Sequence, residues 1–176
     1  MRLHSCDVLL ILALVCSTVA FAQTEKTPAK EGVLTAAEVG GKLFPDKVFF
    51  RGQVAPVQAR NSGGVRFGDE LMVMAALVDS SGYASGLKEK YQGYLITEVP
   101  IAVNGQTLKP GAYGFGFVEN DKFVVMDLGA NDVFQVSSKK DSEIKHPVPL
   151  QFVAGSTAGA YRLYKGRDYV EIHRGK

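Results

Sequence analysis

The chain has 176 residues, of which 46% are hydrophobic and 22% charged, with 20 basic against 18 acidic side chains. This near balance, without a run of five like charges, excludes the basic surface of a nucleic-acid-binding protein. Both cysteines, Cys6 and Cys16, precede residue 23, so the remaining chain excludes disulfides, thiolate metal sites and cysteine nucleophiles.

The N-terminal residues have the pattern of a secretion signal. Arg2 supplies a positive charge, residues 8–15 are continuously apolar, and Ala20-Phe21-Ala22 offers a signal-peptidase site. We expect residues 1–22 to be this signal. The next segment, residues 23–32, is polar and predicts a flexible leader. Export without cysteines favours a periplasmic or secreted protein of the bacterial envelope. No later segment has the roughly 18 apolar residues of a membrane span.

One short helix is predicted near the start of the remaining chain, over residues 34–44. Thr35 followed by Glu38 forms a capping box. The glycines at positions 40 and 41 weaken the helix, and Pro45 ends it.

From residue 47 onward, apolar and polar residues alternate with a period of two, which is typical of strands. Gly52 predicts a bulge within the strand 48–54. The turn-forming sequence Asn-Ser-Gly-Gly predicts two strands within residues 57–67. Residues 70–79 fit a core strand or a short buried helix, and their length favours the strand. Residues 80–90 predict a long loop with one helical turn at 87–90.

The C-terminal half has regularly spaced strands and turns. Asn104-Gly105 and residues 109–111 are strong turn signals. The segments 112–118 and 122–128 form the clearest hairpin. Short strands at such spacing predict a single all-β domain over residues 33–176, built as an antiparallel β-sandwich or small β-barrel. The further predicted strands are 91–103, broken at Pro100, and 133–137, 148–153, 160–164 and 169–173.

The strand at 112–118 has two unlike faces. Alternation places three aromatic rings on one face and three small residues on the other, so that a neighbouring group can approach the backbone closely. The aromatic face supports two interpretations: a platform that binds an apolar ligand or a glycan, or the core of the sandwich. The absence of tryptophan disfavours the glycan. The rings are those of Tyr113, Phe115 and Phe117.

The same region carries a family resemblance. Residues 104–113, NGQTLKPGAY, resemble the G-k-x-L-p-A-G-x-Y strand–turn–strand of exported bacterial proteins grouped as domain of unknown function 2911. The resemblance extends over residues 99–174, although the tryptophans and the Tyr-Ser-x-Pro segment of that family are absent. It implies an envelope β domain and supplies no catalytic residue.

A metal site is a second candidate. Glu171 and His173 lie two residues apart on a predicted strand, so their side chains share a face. With His146 or Asp168 they could hold a metal ion. The alternative is an ordinary outward polar face. No nucleophile elbow of the form G-x-S-x-G is present.

These observations favour a non-enzymatic binding or interaction module of the envelope, without a cofactor. Its partner would be a small apolar ligand or an envelope protein. A small metal-dependent or hydrolytic enzyme is one alternative. A structural accessory domain that pairs through an exposed β-edge is another.

Overall fold

Two antiparallel β-sheets make up most of the computed structural model, which describes residues 30–175. The prediction of an all-β, sandwich-like fold is therefore confirmed. The predicted signal and the leader up to residue 29 lie outside the described residues. The remainder of the predicted leader is ordered, because Glu31 accepts a hydrogen bond of 3.0 Å from the Tyr161 hydroxyl and Gly32 begins the first strand.

The larger sheet has eight strands and the smaller has six. The larger follows the order β1-β3-β4-β5-β8-β9-β10, with β2 paired to β3; the smaller follows β12-β13-β14-β6-β7, with β11 paired to β14. In chain order the elements are β1 Gly32–Leu34, α1 Ala36–Val39, β2 Lys47–Phe50, β3 Gln53–Arg66, β4 Met72–Val78, α2 Ser85–Lys90, β5 Gly93–Thr97, β6 Ile101–Val103, β7 Gln106–Leu108, β8 Gly111–Val118, β9 Lys122–Met126, β10 Asp132–Ser137, β11 Lys139–Lys140, β12 Gln151–Ala154, β13 Ala160–Lys165 and β14 Asp168–Arg174.

The predicted capping box is present, but the helix is shorter than expected. The Glu38 carboxylate accepts hydrogen bonds of 2.8 Å from the backbone N–H and the hydroxyl of Thr35. Helix α1 spans only four residues, and Leu34 belongs to β1 instead. A second helix, α2, occupies the segment predicted as a loop with one helical turn.

Two predictions around β3 were wrong. Arg51 and Gly52 form the tight turn between β2 and β3, with φ angles of 46° and 75°, instead of a bulge within one strand. Residues 57–67 form part of one long strand instead of two, because the chain accommodates its extra residues as a bulge between Val57 and Ser62. The Ser62 hydroxyl donates to the Ala59 carbonyl at 2.7 Å within this bulge. Turn-forming residues thus bend β3 without reversing it.

Most other strand predictions held, although the strand expected at 148–153 begins only at Gln151. Residues 70–79 contain strand β4, as predicted. The segment 91–103 divides into β5 and β6 around Pro100. Asn104 and Gly105 turn the chain between β6 and β7 with φ angles of 44° and 88°, and β8 and β9 form the predicted hairpin.

The larger sheet is buried on both faces. Its inner face packs against the smaller sheet around Phe115, Phe123 and Leu163. Its outer face packs against the β2–β3 hairpin and both helices, and the contact forms a second cluster, the outer cluster, which includes Phe50 and Tyr91. Strand β8 therefore lies between two separate hydrophobic clusters, and four of its eight residues are buried.

Glycines in β8 allow this second layer to approach. The rings of Phe50 and Tyr91 stack with centroids 3.9 Å apart and planes 11° from parallel. A Cβ atom on Gly114 would lie 2.5 Å from the Phe50 ring, and one on Gly116 would lie 2.1 Å from the Lys90 carbonyl oxygen. The small-residue face predicted for this strand thus receives aromatic rings and the end of α2.

Gly114→Ala should lower the free energy of unfolding by about 1–3 kcal/mol, because the added methyl overlaps the buried Phe50 ring. Gly86→Ala is the matched control, since nothing lies within 4 Å of its Cβ position and α2 favours alanine over glycine. Urea unfolding of both variants measures the difference. Equal stabilities would contradict the close approach.

Two of the three tyrosines in the outer cluster, Tyr83 and Tyr91, differ in their hydrogen bonding. The Tyr83 hydroxyl donates to the Phe50 carbonyl at 3.0 Å. The Tyr91 hydroxyl is buried and has no hydrogen-bond partner among the described residues. Burial also raises the pKa of Tyr91 far above its usual value.

Tyr91→Phe should raise the free energy of unfolding by about 1 kcal/mol, because it removes a desolvated hydroxyl that has no partner. Tyr83→Phe should lower it by about the same amount, since the Phe50 carbonyl loses its donor. Thermal unfolding of the two variants gives the sign of each effect. A loss of stability in Tyr91→Phe would mean that its hydroxyl is satisfied.

Candidate functional site

The predicted aromatic platform lies in the interior. Phe115 and Phe117 are buried between the sheets, with ring centroids 5.6 and 4.8 Å from that of Phe123. Tyr113 is half-buried against the same cluster, and its hydroxyl donates to the Lys109 carbonyl at 3.0 Å. This placement favours the core interpretation, because a ligand on these rings would have to displace packed side chains.

The predicted metal ligands come together only in part. Glu171 Oε1 lies 2.8 Å from His173 Nε2 on β14. Within residues 30–175, however, no group of three histidine, cysteine, aspartate or glutamate side chains is placed to hold a metal ion. The predicted site with His146 is therefore not assembled.

The position of the connection between β11 and β12 explains this result. His146 is exposed on this connection. The Arg167 guanidinium donates to the carbonyls of Ser142 and Ile144, which holds the connection at the start of β14. His173 lies six residues beyond Arg167, which is about 20 Å along an extended strand.

Glu171 and His173 instead border a polar concavity of about 530 Å³. It lies where the turn between β6 and β7 meets the end of β10. Sequence reasoning identified the turn but not the concavity. The lining residues are Asn104, Gly105, Gln106, Val136, Ser137, Lys139, Glu171 and His173.

Asn104 holds the wall of this concavity in place. Its side-chain Nδ2 donates to the Ser137 carbonyl at 2.6 Å, and its Oδ1 accepts from the Glu171 backbone N–H at 2.8 Å. Its own backbone N–H donates to the Glu171 carbonyl at 2.9 Å. One side chain therefore joins the β6–β7 turn to β10 of the larger sheet and β14 of the smaller sheet.

A row of stacked side chains continues the polar surface across the smaller sheet. Arg162 pairs in register with Glu171, and its guanidinium lies 4.8 Å from the centroid of the Tyr169 ring. The Tyr164 ring lies 5.0 Å from that of Tyr169, and its hydroxyl donates to Asp141 at 2.9 Å. The pKa of Tyr164 is raised above its usual value, mainly because the hydroxyl is buried. The hydrogen bond with Arg162 lowers this pKa, and the hydrogen bond to Asp141 raises it further. These contacts fix the surface beside the concavity.

The side chains that line the concavity provide charged and neutral groups that can hydrogen-bond to a polar ligand. Lys139 offers a positive charge, Glu171 a carboxylate and His173 an imidazole, while Gln106 and Ser137 offer neutral polar groups. Within the described chain, the His173 side chain hydrogen-bonds to Glu171 and not to the Ser137 hydroxyl. An activated serine of the hydrolase type, which requires that second bond, is thus not formed.

No helix within residues 30–175 is long and apolar enough to cross a membrane. No protein-family model, curated protein or solved structure matches the chain. The resemblance to domain of unknown function 2911 therefore stays a prediction.

Proposed function

We propose that this protein is an exported, non-catalytic binding module of the bacterial envelope, and that its ligand occupies the polar concavity beside Glu171 and His173. The observation that carries the proposal is this concavity, whose wall presents both signs of charge on a backbone held by Asn104. The concavity is open to solvent, and its volume of about 530 Å³ leaves room for a small ligand.

The lining chemistry favours a small hydroxylated ligand such as an envelope saccharide. Sugar hydroxyls both donate and accept hydrogen bonds, and the concavity offers acceptors at Glu171 and donors at Lys139 and Gln106. The apolar ligand expected from the sequence has less support, since Phe115 and Phe117 already pack within the interior.

Glu171→Gln should weaken saccharide binding roughly tenfold, because a charged acceptor becomes neutral while its shape is kept. The full chain is titrated with a panel of mono- and disaccharides, and the amide resonances of Gly105 and Gln106 are followed by NMR. We expect saturable shifts with at least one sugar in the wild type. Glu143→Gln is the control, because Glu143 is exposed on the β11–β12 connection and should leave binding unchanged.

Two results would contradict the proposal. One is the absence of saturable shifts at Gly105 and Gln106 for every sugar in the panel. The other is an equal loss of affinity in Glu171→Gln and Glu143→Gln, since that would indicate a nonspecific effect of charge.

Hydrolysis of an ester is a second candidate, favoured by the 2.8 Å contact between Glu171 and His173 in a concavity that also contains Ser137. This reaction would require the Ser137 hydroxyl to come within hydrogen-bond reach of His173. His173 would take its proton as that oxygen attacks the acyl carbon and would return the proton to the departing alkoxide as the ester C–O bond breaks; water would then release the acyl group from Ser137. Turnover of a chromogenic ester that is lost in both His173→Gln and Ser137→Ala would favour this candidate. Turnover that neither substitution changes would remove it.

A further inference from the structure

The most exposed large hydrophobic side chains lie together on one hairpin. Phe49 is 59% exposed and Val54 is 56% exposed, the two highest values among the large hydrophobic residues described. They are directly paired between β2 and β3, so both side chains point to the same side of the hairpin. The structure therefore presents a paired apolar surface, not two scattered residues.

Packing beneath the hairpin fixes this exposure. Phe50 is fully buried against Tyr91 and Gly114, and Val48 and Ala55 also face inward. Because successive side chains of a strand alternate in direction, an inward Phe50 requires an outward Phe49. The hairpin cannot turn Phe49 inward without losing its own anchor.

Positive charges lie on both sides of Phe49. Lys47 precedes it by two residues on the same face, and Arg51 follows it by two residues in the tight turn. Both side chains are exposed, and neither forms an ion pair within residues 30–175. Asp46 contributes one nearby negative charge. The Arg51 backbone N–H donates to the Leu128 carbonyl at 2.8 Å, which holds the turn in position.

This combination matches the surface of an anionic bilayer. Exposed aromatic and aliphatic side chains enter the boundary between headgroups and acyl chains, while nearby cations contact lipid phosphates. A protein partner fits less well, because lysine is depleted at the centre of protein interfaces. We propose that the outer face of the β2–β3 hairpin, formed by Lys47, Phe49, Arg51 and Val54, binds anionic phospholipid membranes.

The test uses the absence of tryptophan from the chain. Phe49→Trp in the full chain places one tryptophan at the proposed contact, and excitation beyond the absorption of the seven tyrosines selects its emission. Vesicles of equal parts phosphatidylglycerol and phosphatidylcholine should shift its emission to shorter wavelength, and brominated lipids should quench it. Vesicles of phosphatidylcholine alone should leave it unchanged. The apolar N-terminal segment carries no tryptophan and does not itself fluoresce in this measurement.

Matched variants define the contact. Val153→Trp reports from an exposed valine on β12 of the smaller sheet and should show no shift. Arg51→Asn, in the Phe49→Trp background, removes one charge with a residue that tolerates positive φ, and should weaken vesicle binding about fivefold.

Three results would overturn the proposal. The emission from position 49 could stay unchanged with anionic vesicles, or it could shift no more than the emission from position 153. It could also shift without vesicles as protein concentration rises, which would assign the hairpin face to a second copy of the chain.

Discussion

The contact between β8 and the outer layer, which consists of the β2–β3 hairpin and the helices, governs the architecture. Because Gly114 and Gly116 carry no side chains, the stacked rings of Phe50 and Tyr91 and the end of α2 can lie directly on the backbone of this strand. The larger sheet is consequently covered on both faces. The aromatic face of β8 packs into the interior of the sandwich, and its glycine face packs against the outer layer.

This double coverage determines where a ligand can bind. The interior is filled by packed side chains such as Phe115 and Phe123, and the outer face of the larger sheet lies under the β2–β3 hairpin. The concavity beside Glu171 and His173 lies outside both of these packed regions. Asn104 is central there, because its amide bonds to chain segments 33 and 67 residues away along the sequence.

Local sequence patterns predicted what depends on local geometry. The period of two located most strands, and Asn104-Gly105 located a turn, since these features depend on neighbouring residues alone. The Asn-Ser-Gly-Gly sequence at 61–64 wrongly predicted a chain reversal, because turns and bulges favour the same residue types. The concavity was not predictable from spacing, since its residues come from three separate segments that only the folded chain brings together. Glu171 and His173 were found because they share one strand, whereas His146 depends on a long connection.

The two proposed surfaces are compatible within one molecule. The hairpin face lies outside the larger sheet, whereas the concavity opens beside the smaller sheet, and packed sheets stand about 10 Å apart. A domain resting on a bilayer through Phe49 and Val54 would use a surface that shares no residue with the concavity. The same burial of Phe50 that exposes Phe49 also covers the outer face of the larger sheet, so one packing constraint produces both features.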